Sequence, residues 1–496
     1  MDKPAVYALP ILKAGFTPAD HYQATAASGY NLLPFRFISL DDCRYVASNL
    51  VGEHVVISRL DLQKLTRHVL QPTSEIYNEL KSKHFLIDGD STVAIDLLSV
   101  KYRTKQALLA NSTSLFLFVV TLRCDHSCPY CQVSRQSADR HAFDMRLELV
   151  DRAIDFMFRS PSPAIKVEFQ GGEPLLNFDL VSQVVLRVED RNSQEHRNVQ
   201  FVIATNLSLL SDEILAFCKE HDICISTSLD GPEALHNRNR PRPDGDSYGK
   251  TVEGIRRVRD MLGRDRIAAL MTTTEASLIQ PLDIVDEYVR QGFDSIFLRS
   301  ISPYGFAVKT GQAGRYDMDR WLGFYREALG YIISLNQNGR IFREEYSALL
   351  LRKILTPFPT GYVDLQSPAG LGISCLVFNY DGDIYASDEA RMLAEMGDHS
   401  FRLGNLDRDS YEDVMLSDNL LATLDETMTE GMPMCVDCGF MPYCGSDPVQ
   451  HHAIQGDRVG FKPTSPFCQK NMEVLRHLFR LLEDDPAARD VLTSWL

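Results

Sequence analysis

No stretch of this sequence is apolar enough to cross a bilayer. The longest strongly apolar run, Leu115 to Leu122, falls far short of the roughly 20 residues that a membrane helix needs, so no membrane partner is expected. A basic excess is missing too. Lys and Arg number 51 against 67 Asp and Glu, a formal net charge of -16, and no wide basic footprint is left to neutralise phosphates; nucleic acid is not an expected partner. The start, MDKPAVYALPILKAG, lacks a clean apolar segment followed by a small-residue cleavage site, which makes the cytoplasm the expected compartment. There the 11 cysteines are reduced thiols, so a disulfide framework is not expected and clustered thiols point to metal or redox chemistry. What remains, 44% hydrophobic and 24% charged over 496 residues, is ordinary globular composition with length for a sizeable core and about three domains.

The thiols are unevenly placed. Three fall in Cys124-x3-Cys128-x2-Cys131, directly behind the apolar run, and five lie between 375 and 468. Cys218 and Cys224 sit in helical and strand patterns and read as small buried hydrophobes. Three thiolates on one loop suit a [4Fe–4S] cubane whose fourth iron stays open for a chelating ligand. Zinc fits the count equally, because His126 or His141 supplies a fourth ligand.

From Tyr30 the chain shows short alternating strands with Asp41-Asp42 as a turn. Two helical patterns follow, Arg59 to Val69 and Thr73 to Lys83 with Ser74 as N-cap, and then strand-like HFLI and TVAIDLLSV. This order predicts a winged-helix-like α+β module over 1–110. Residues 111–310 alternate strand and helix patterns, with strands at 115–122, 167–169, 199–204, 223–229, 267–273 and 295–298 and Asp144 as N-cap of the first helix. Continuous apolar strands with helices between them predict a parallel sheet covered by helices: an α/β, partial (β/α)6 barrel with ligands over its C-terminal strand ends. Residues 311–370 read as a helical bridge and 371–496 as a second cysteine-bearing domain.

The strand ends carry polar groups. Gln170-Gly171-Gly172-Glu173-Pro174 follows the second strand; its glycines allow close backbone approach to a ligand and Glu173 suits an ammonium. Thr205-Asn206 follows the third, Ser228-Leu229-Asp230-Gly231-Pro232 the fourth and Arg299 the sixth, where a guanidinium suits a carboxylate. Each alone is also a plain turn signal.

Together, the three-cysteine loop with Tyr130 before its last cysteine, Gly171-Gly172-Glu173-Pro174 and the polar strand ends resemble a radical S-adenosylmethionine (SAM) enzyme core. The resemblance implies a SAM-binding [4Fe–4S] cluster on Cys124, Cys128 and Cys131. It further implies Tyr130 beside the adenine, Glu173 at the SAM amino group, and Asn206 and Ser228 near the ribose or amino-acid portion; by their own chemistry Asp230 suits the same polar portion and Arg299 the carboxylate.

In the last domain Cys375 opens a hairpin turning at Asp381-Gly382, and Cys435-x2-Cys438-x5-Cys444 with Cys468 supplies four thiolates, which on spacing alone suit a cubane or a structural zinc equally. The segment resembles the SPASM extension of radical SAM peptide maturases, with Ser387 and Pro448 where that pattern has cysteines. The resemblance implies one auxiliary [4Fe–4S] cluster on Cys435, Cys438, Cys444 and Cys468. Ser387-Asp-Glu-Ala-Arg-Met-Leu and Cys444-Gly-Ser-Asp-Pro-Val-Gln-His-His further resemble the radical SAM maturase of the His-Xaa-Ser peptide system. Adjacent His451 and His452 point different ways and read as hydrogen-bonding residues rather than ligands.

The expected function is hydrogen abstraction from a ribosomally made peptide by a 5′-deoxyadenosyl radical, ending in an oxidative crosslink (C–C, thioether or ether). The implied partners are a small precursor peptide, with His-Xaa-Ser repeats and a leader bound by residues 30–98, a flavodoxin or ferredoxin as electron donor, and a second radical SAM protein. The rivals are a sulfatase-type maturase and a catalytically silent peptide-binding partner. No side chain stands out as a general acid or base.

Overall fold

The structure, a computed structural model, describes residues 29–89 and 92–496; residues 1–28, counted above with the N-terminal module, lie outside the described residues. The first strands are β1 (Asn31–Leu32), β2 (Phe35–Ser39), β3 (Arg44–Asn49), β4 (His54–Ser58) and β5 (Leu86–Ile87). β2, β3 and β4 form an antiparallel meander, and β1 pairs with β5 after the helices Arg59–Thr66 and Glu75–Ser82. The expected last strand of this module is instead a helix, Val93–Lys105. Its apolar residues at 93, 97 and 100 keep a helical period that the alternation 93, 95, 97 conceals, and among the described residues it buries none of them.

Five parallel strands follow in chain order: β6 (Leu115–Thr121), β7 (Ala164–Gly171), β8 (Asn198–Thr205), β9 (Cys224–Ser228) and β10 (Ile267–Leu270). β6 is buried on both faces, whereas β7, β9 and β10 alternate buried residues with half-buried or exposed ones. The sixth expected strand departs from this sheet. β11 is only Ser295–Ile296 and pairs in parallel with β12 (Arg343–Glu344). Beyond it the buried Glu344 carboxylate accepts the Leu298 amide at 3.2 Å and the Tyr325 hydroxyl at 2.7 Å, standing in for a ladder.

The opposite edge is extended by the C-terminal region. β13 (Cys375–Phe378) pairs in parallel with β6, with Cys375 opposite Leu115, and β14 (Asp383–Tyr385) and β15 (Arg402–Asn405) add antiparallel strands. One sheet of eight strands therefore crosses from core to C-terminal domain. Phe378 closes the joint, its ring 6.0 Å from Phe116 and 5.2 Å from Phe118. The helix Met318–Gln337, in the expected bridge, packs against the barrel helix Pro281–Arg290 on one side and the C-terminal helices on the other.

Candidate active site

The chain leaving β6 is braced before it reaches the cysteines. Arg123 donates to Asp144 through Nε (2.7 Å) and Nη2 (2.8 Å), and the Thr121 hydroxyl donates to the same carboxylate at 2.6 Å. Asp144, expected as a helix cap, is thus spent on the loop, and the helix Leu147–Phe158 starts behind Arg146 without a side-chain cap. Asp125 accepts from Ser208 Oγ (2.5 Å), Arg242 Nη1 (2.6 Å) and Asn206 Nδ2 (2.8 Å), with His126 Nδ1 at 2.9 Å. Burial would raise the Asp125 carboxyl, but the bonds from His126, Ser208 and Asn206 outweigh it and hold it far below the usual range. No motif foreshadows this hub.

Gly171 and Gly172 serve the same bracing. A Cβ on Gly171 would lie 1.9 Å from the Thr121 carbonyl oxygen and one on Gly172 2.1 Å from that of Arg123. The close approach they permit is to the cysteine loop's own backbone, where a ligand was expected. The pair also sets Glu173, whose amide donates to Arg123 O at 2.8 Å.

Glu173 is 1% exposed and accepts from Thr205 Oγ1 (2.6 Å), the Asn206 amide (2.8 Å) and the Leu175 amide (3.1 Å). Burial nevertheless pushes its carboxyl up to about 7, with nearby Asp125 adding to the effect. Cys124, Cys128, Cys131, Tyr130, Gly171, Gly172, Glu173, Asn206, Ser228 and Arg299 all line one cavity of about 240 Å³ at the C-terminal strand ends. Asp230 does not. It lies beneath Tyr130, accepting its hydroxyl at 2.5 Å and pairing with Arg240 at 3.2 Å, while that guanidinium sits 5.5 Å above the Tyr130 ring. Arg240 and Asp388 also line the cavity and were not foreseen.

The cavity suits a polar, metal-anchored guest. Three buried polar atoms of its lining, Thr227 Oγ1, His126 Nε2 and Arg240 Nε, lack a hydrogen-bond partner. Burial holds the Cys124 thiol far above its usual value and that of Cys128 up to about 12, so these groups become thiolates by binding metal. Among the described residues, neither the three loop cysteines nor Cys435, Cys438, Cys444 and Cys468 bring three ligand atoms within 4.8 Å of one another. Cys124 does bring its sulfur within 4.8 Å of ligand atoms of Asp125 and His126, but tetrahedral zinc with bonds of about 2.3 Å draws its sulfurs to about 3.8 Å, so both cysteine sets are too open for an all-thiolate zinc as they stand and suit a larger cluster. The second set surrounds a mainly apolar cavity of about 420 Å³, also lined by Phe37 and Ile38 of β2. Here the N-terminal module meets the cysteine loop: Ser48 Oγ donates to Gly439 O at 2.6 Å, and a Cβ on Gly439 would lie 2.8 Å from the Ile38 nitrogen.

Other expected positions have separate roles. Ser387 caps the helix Asp388–Ala394, accepting the Ala390 amide at 3.2 Å, and Pro448 is the first residue of the helix Pro448–Gln455. Cys375 is buried in β13. His451 turns inward to Ser465 Oγ (2.8 Å) and lines the second cysteine cavity, whereas His452 turns to Asp398 (2.8 Å).

The raised Glu173 carboxyl gives a pH prediction. Its proton is held more tightly in the fold than in the unfolded chain, so stability falls as pH rises between about 4.5 and about 7. The penalty above that window is on the order of 3 kcal/mol. Glu173→Gln is expected to melt higher than the parent at pH 8 and alike at pH 4.5 without ligand. Equal melting at both pH values would remove the assignment.

Residues 118–298 match the family model described as the radical SAM superfamily. An uncharacterized protein of Methanocaldococcus jannaschii is 36% identical over 126 residues, a match spanning 25% of this chain and 41% of that protein. The radical SAM cyclopropyl synthase TigE of Paramaledivibacter caminithermalis is 21% identical over 37% of this chain and 40% of its own length. The cysteine-type anaerobic sulfatase-maturating enzyme of Clostridium novyi is 21% identical over 75% of this chain and 98% of its own. Among solved structures, native anSMEcpe with bound AdoMet superposes with a TM-score of 0.62 at 16% identity, covering 77% of this chain and 99% of that one. Streptococcus suis SuiB bound to precursor peptide SuiA gives 0.53 at 13% identity over 89% and 100%. The described residues contain no helix long and apolar enough to cross a membrane. Residues 118–298, with their three-cysteine loop at the C-terminal ends of parallel strands, are a radical SAM domain, of the family that uses SAM and a [4Fe–4S] cluster.

Proposed function

We propose that the protein is a radical SAM enzyme that modifies a ribosomally made peptide. The observation that carries this reading is the convergence of Cys124, Cys128 and Cys131 with buried Glu173 on one cavity. SAM and its cluster, held there, supply a 5′-deoxyadenosyl radical that removes hydrogen from an unactivated carbon. The chain's own residues position and shield. Glu173, surrendering its proton on meeting an ammonium, fixes the amino end, while Arg299 offers a guanidinium to a carboxylate. Tyr130, clamped by Asp230 and Arg240, presents a rigid aromatic edge, and Met271 and Met392 exclude water.

The sulfatase-maturating relative, anSMEcpe bound to the Cp18Cys peptide and SuiB bound to precursor peptide SuiA support a peptide substrate. Cys435, Cys438, Cys444 and Cys468 would hold an auxiliary cluster, which would supply an acceptor for the second electron of an oxidative crosslink, and the strand edges of the N-terminal meander offer a leader peptide a place to pair. The finer assignment to the His-Xaa-Ser system rests on the motifs around Ser387 and Cys444. An external flavodoxin or ferredoxin and a second radical SAM protein complete it.

Anaerobic incubation of the reconstituted, reduced enzyme with SAM is expected to yield 5′-deoxyadenosine; none from a fully loaded protein would sink the proposal. With the co-expressed peptide, mass spectrometry is expected to show a loss of two hydrogens per crosslink. Cys435→Ala is expected to abolish that product while leaving 5′-deoxyadenosine formation in place, and undiminished crosslinking would rule out the auxiliary role.

A further inference from the structure

A second polar cavity, of about 50 Å³, adjoins the SAM-side cavity through Arg299, which lines both. Three carboxylates, Asp364, Glu389 and Asp447, share it with two cations, Arg299 and Lys470. These charges do not pair off closely. Arg299 stands 3.6 Å from Glu389, beyond hydrogen-bond length, and Lys470 rests over the rings of Tyr346 (5.1 Å) and Phe467 (5.5 Å), with no carboxylate within ion-pair distance among the described residues. Three further polar atoms of the lining have no partner: Tyr304 Oη, Trp321 Nε1 and Gln450 Oε1, with Tyr304 and Trp321 each 1% exposed.

A buried set of polar groups this incompletely bonded is costly unless something occupies its centre. A single water needs about 10–15 Å³, so the space holds about four water-sized atoms: the end group of a side chain, not a nucleoside. The acids outnumber the bases by one, and burial pushes all three carboxyls up; a guest carrying one positive charge would favour their ionised forms and balance the set. Tyr304 Oη, Gln450 Oε1 and the carboxylates can accept from N–H donors, while the unpartnered Trp321 N–H is left to donate to a carbonyl or water brought with the guest. A divalent metal suits the cavity poorly, since two cationic side chains share it and no three of its carboxylates converge within 4.8 Å. Ser300, Gln450 and Lys470 also line an adjacent groove of about 240 Å³, so the cavity lies between that groove and the SAM side.

We propose that this cavity is a subsite for a cationic side chain of the peptide substrate, a guanidinium, ammonium or imidazolium, reached from the adjacent groove. The inference rests on the peptide-modifying reading above. Its test uses the full-length, cluster-loaded enzyme with SAM and three probes: N-acetylarginine amide, N-acetyllysine amide and, as the neutral control, N-acetylglutamine amide. Affinities are read by saturation-transfer NMR. The better basic probe is expected to bind at least tenfold more tightly than the glutamine probe. Asp364→Asn and Asp447→Asn are each expected to erase that preference, and Lys470→Met, which removes a competing cation, to strengthen it. Equal binding of the glutamine probe overturns the proposal, as does a weaker preference in Lys470→Met. If a carboxamide variant fails to fold, as its melting curve will show, the probe comparison on the parent and the Lys470→Met arm still decide. 5′-Deoxyadenosine formation by the parent is measured separately, so loss of the radical reading is distinguished from loss of the subsite.

Discussion

Cys128→Ala is expected to fold as the parent does, to lose about half its iron and to form no 5′-deoxyadenosine. Cys128 is a half-buried loop residue that lines the cavity at the strand ends, so truncating its small side chain enlarges that cavity rather than opening a void in the core. The loop around it is held by Arg123, Asp125 and Asp144, and none of those bonds uses the thiol. On the proposed reading, two [4Fe–4S] clusters would bring about eight irons per chain, and loss of one would leave about four. The same iron content is expected in Cys435→Ala, but there SAM cleavage survives. Iron and sulfide analysis beside chromatography of the nucleoside product checks both. A Cys128→Ala protein that still cleaved SAM would remove the loop from the chemistry.

Gly171→Ala is expected to destabilise the fold by about 3–5 kcal/mol, combining backbone overpacking with the strain of a positive φ. The added carbon would lie 1.9 Å from the Thr121 carbonyl oxygen, and φ is +142°. Neither backbone yields freely, because Thr121 and Gly171 face each other at the ends of paired strands β6 and β7. Loosening there also releases Arg123 and with it the cysteine loop, so iron loading should fall together with the melting temperature. Gly314→Ala, where an added Cβ meets nothing within 4 Å, serves as the control and should melt as the parent does. A Gly171→Ala protein as stable as that control would contradict the assigned role.

The parallel strands and the cysteine loop were legible because both are local patterns: continuous apolar runs, fixed thiol spacing and polar residues at strand ends. What the sequence concealed depends on contacts between distant segments. Asp144 reads as a helix cap until Arg123 and Thr121 fold onto it. Gly171 and Gly172 carry the same signature whether they approach a ligand or a neighbouring backbone. Asp230 follows a strand end as a ligand-binding residue does, yet its carboxylate is taken by Tyr130 from 100 positions away. Val93–Lys105 was misread because alternate apolar residues satisfy both periods over a short window. The polar cavity of Asp364, Glu389 and Asp447 was hidden differently: Glu389 and Asp447 sit inside motifs that read as family signatures, and only the fold brings them to Asp364 from separate stretches.

The parallel pairing of β6 with β13 sets a timetable for synthesis. The strand that leads into the cluster loop has β7 on one side, but its other edge waits for Cys375–Phe378, about 260 residues later in the chain. At roughly 5–20 residues per second, that edge stays open on the ribosome for about 13–50 s. It is also among the most apolar stretches in the protein, the kind of edge that recruits stray strands. The protein should therefore depend on chaperones during translation, and iron should be inserted only after the C-terminal region has emerged. Fragments ending before residue 375 are expected to aggregate even though they contain every residue of the SAM-side cysteine loop.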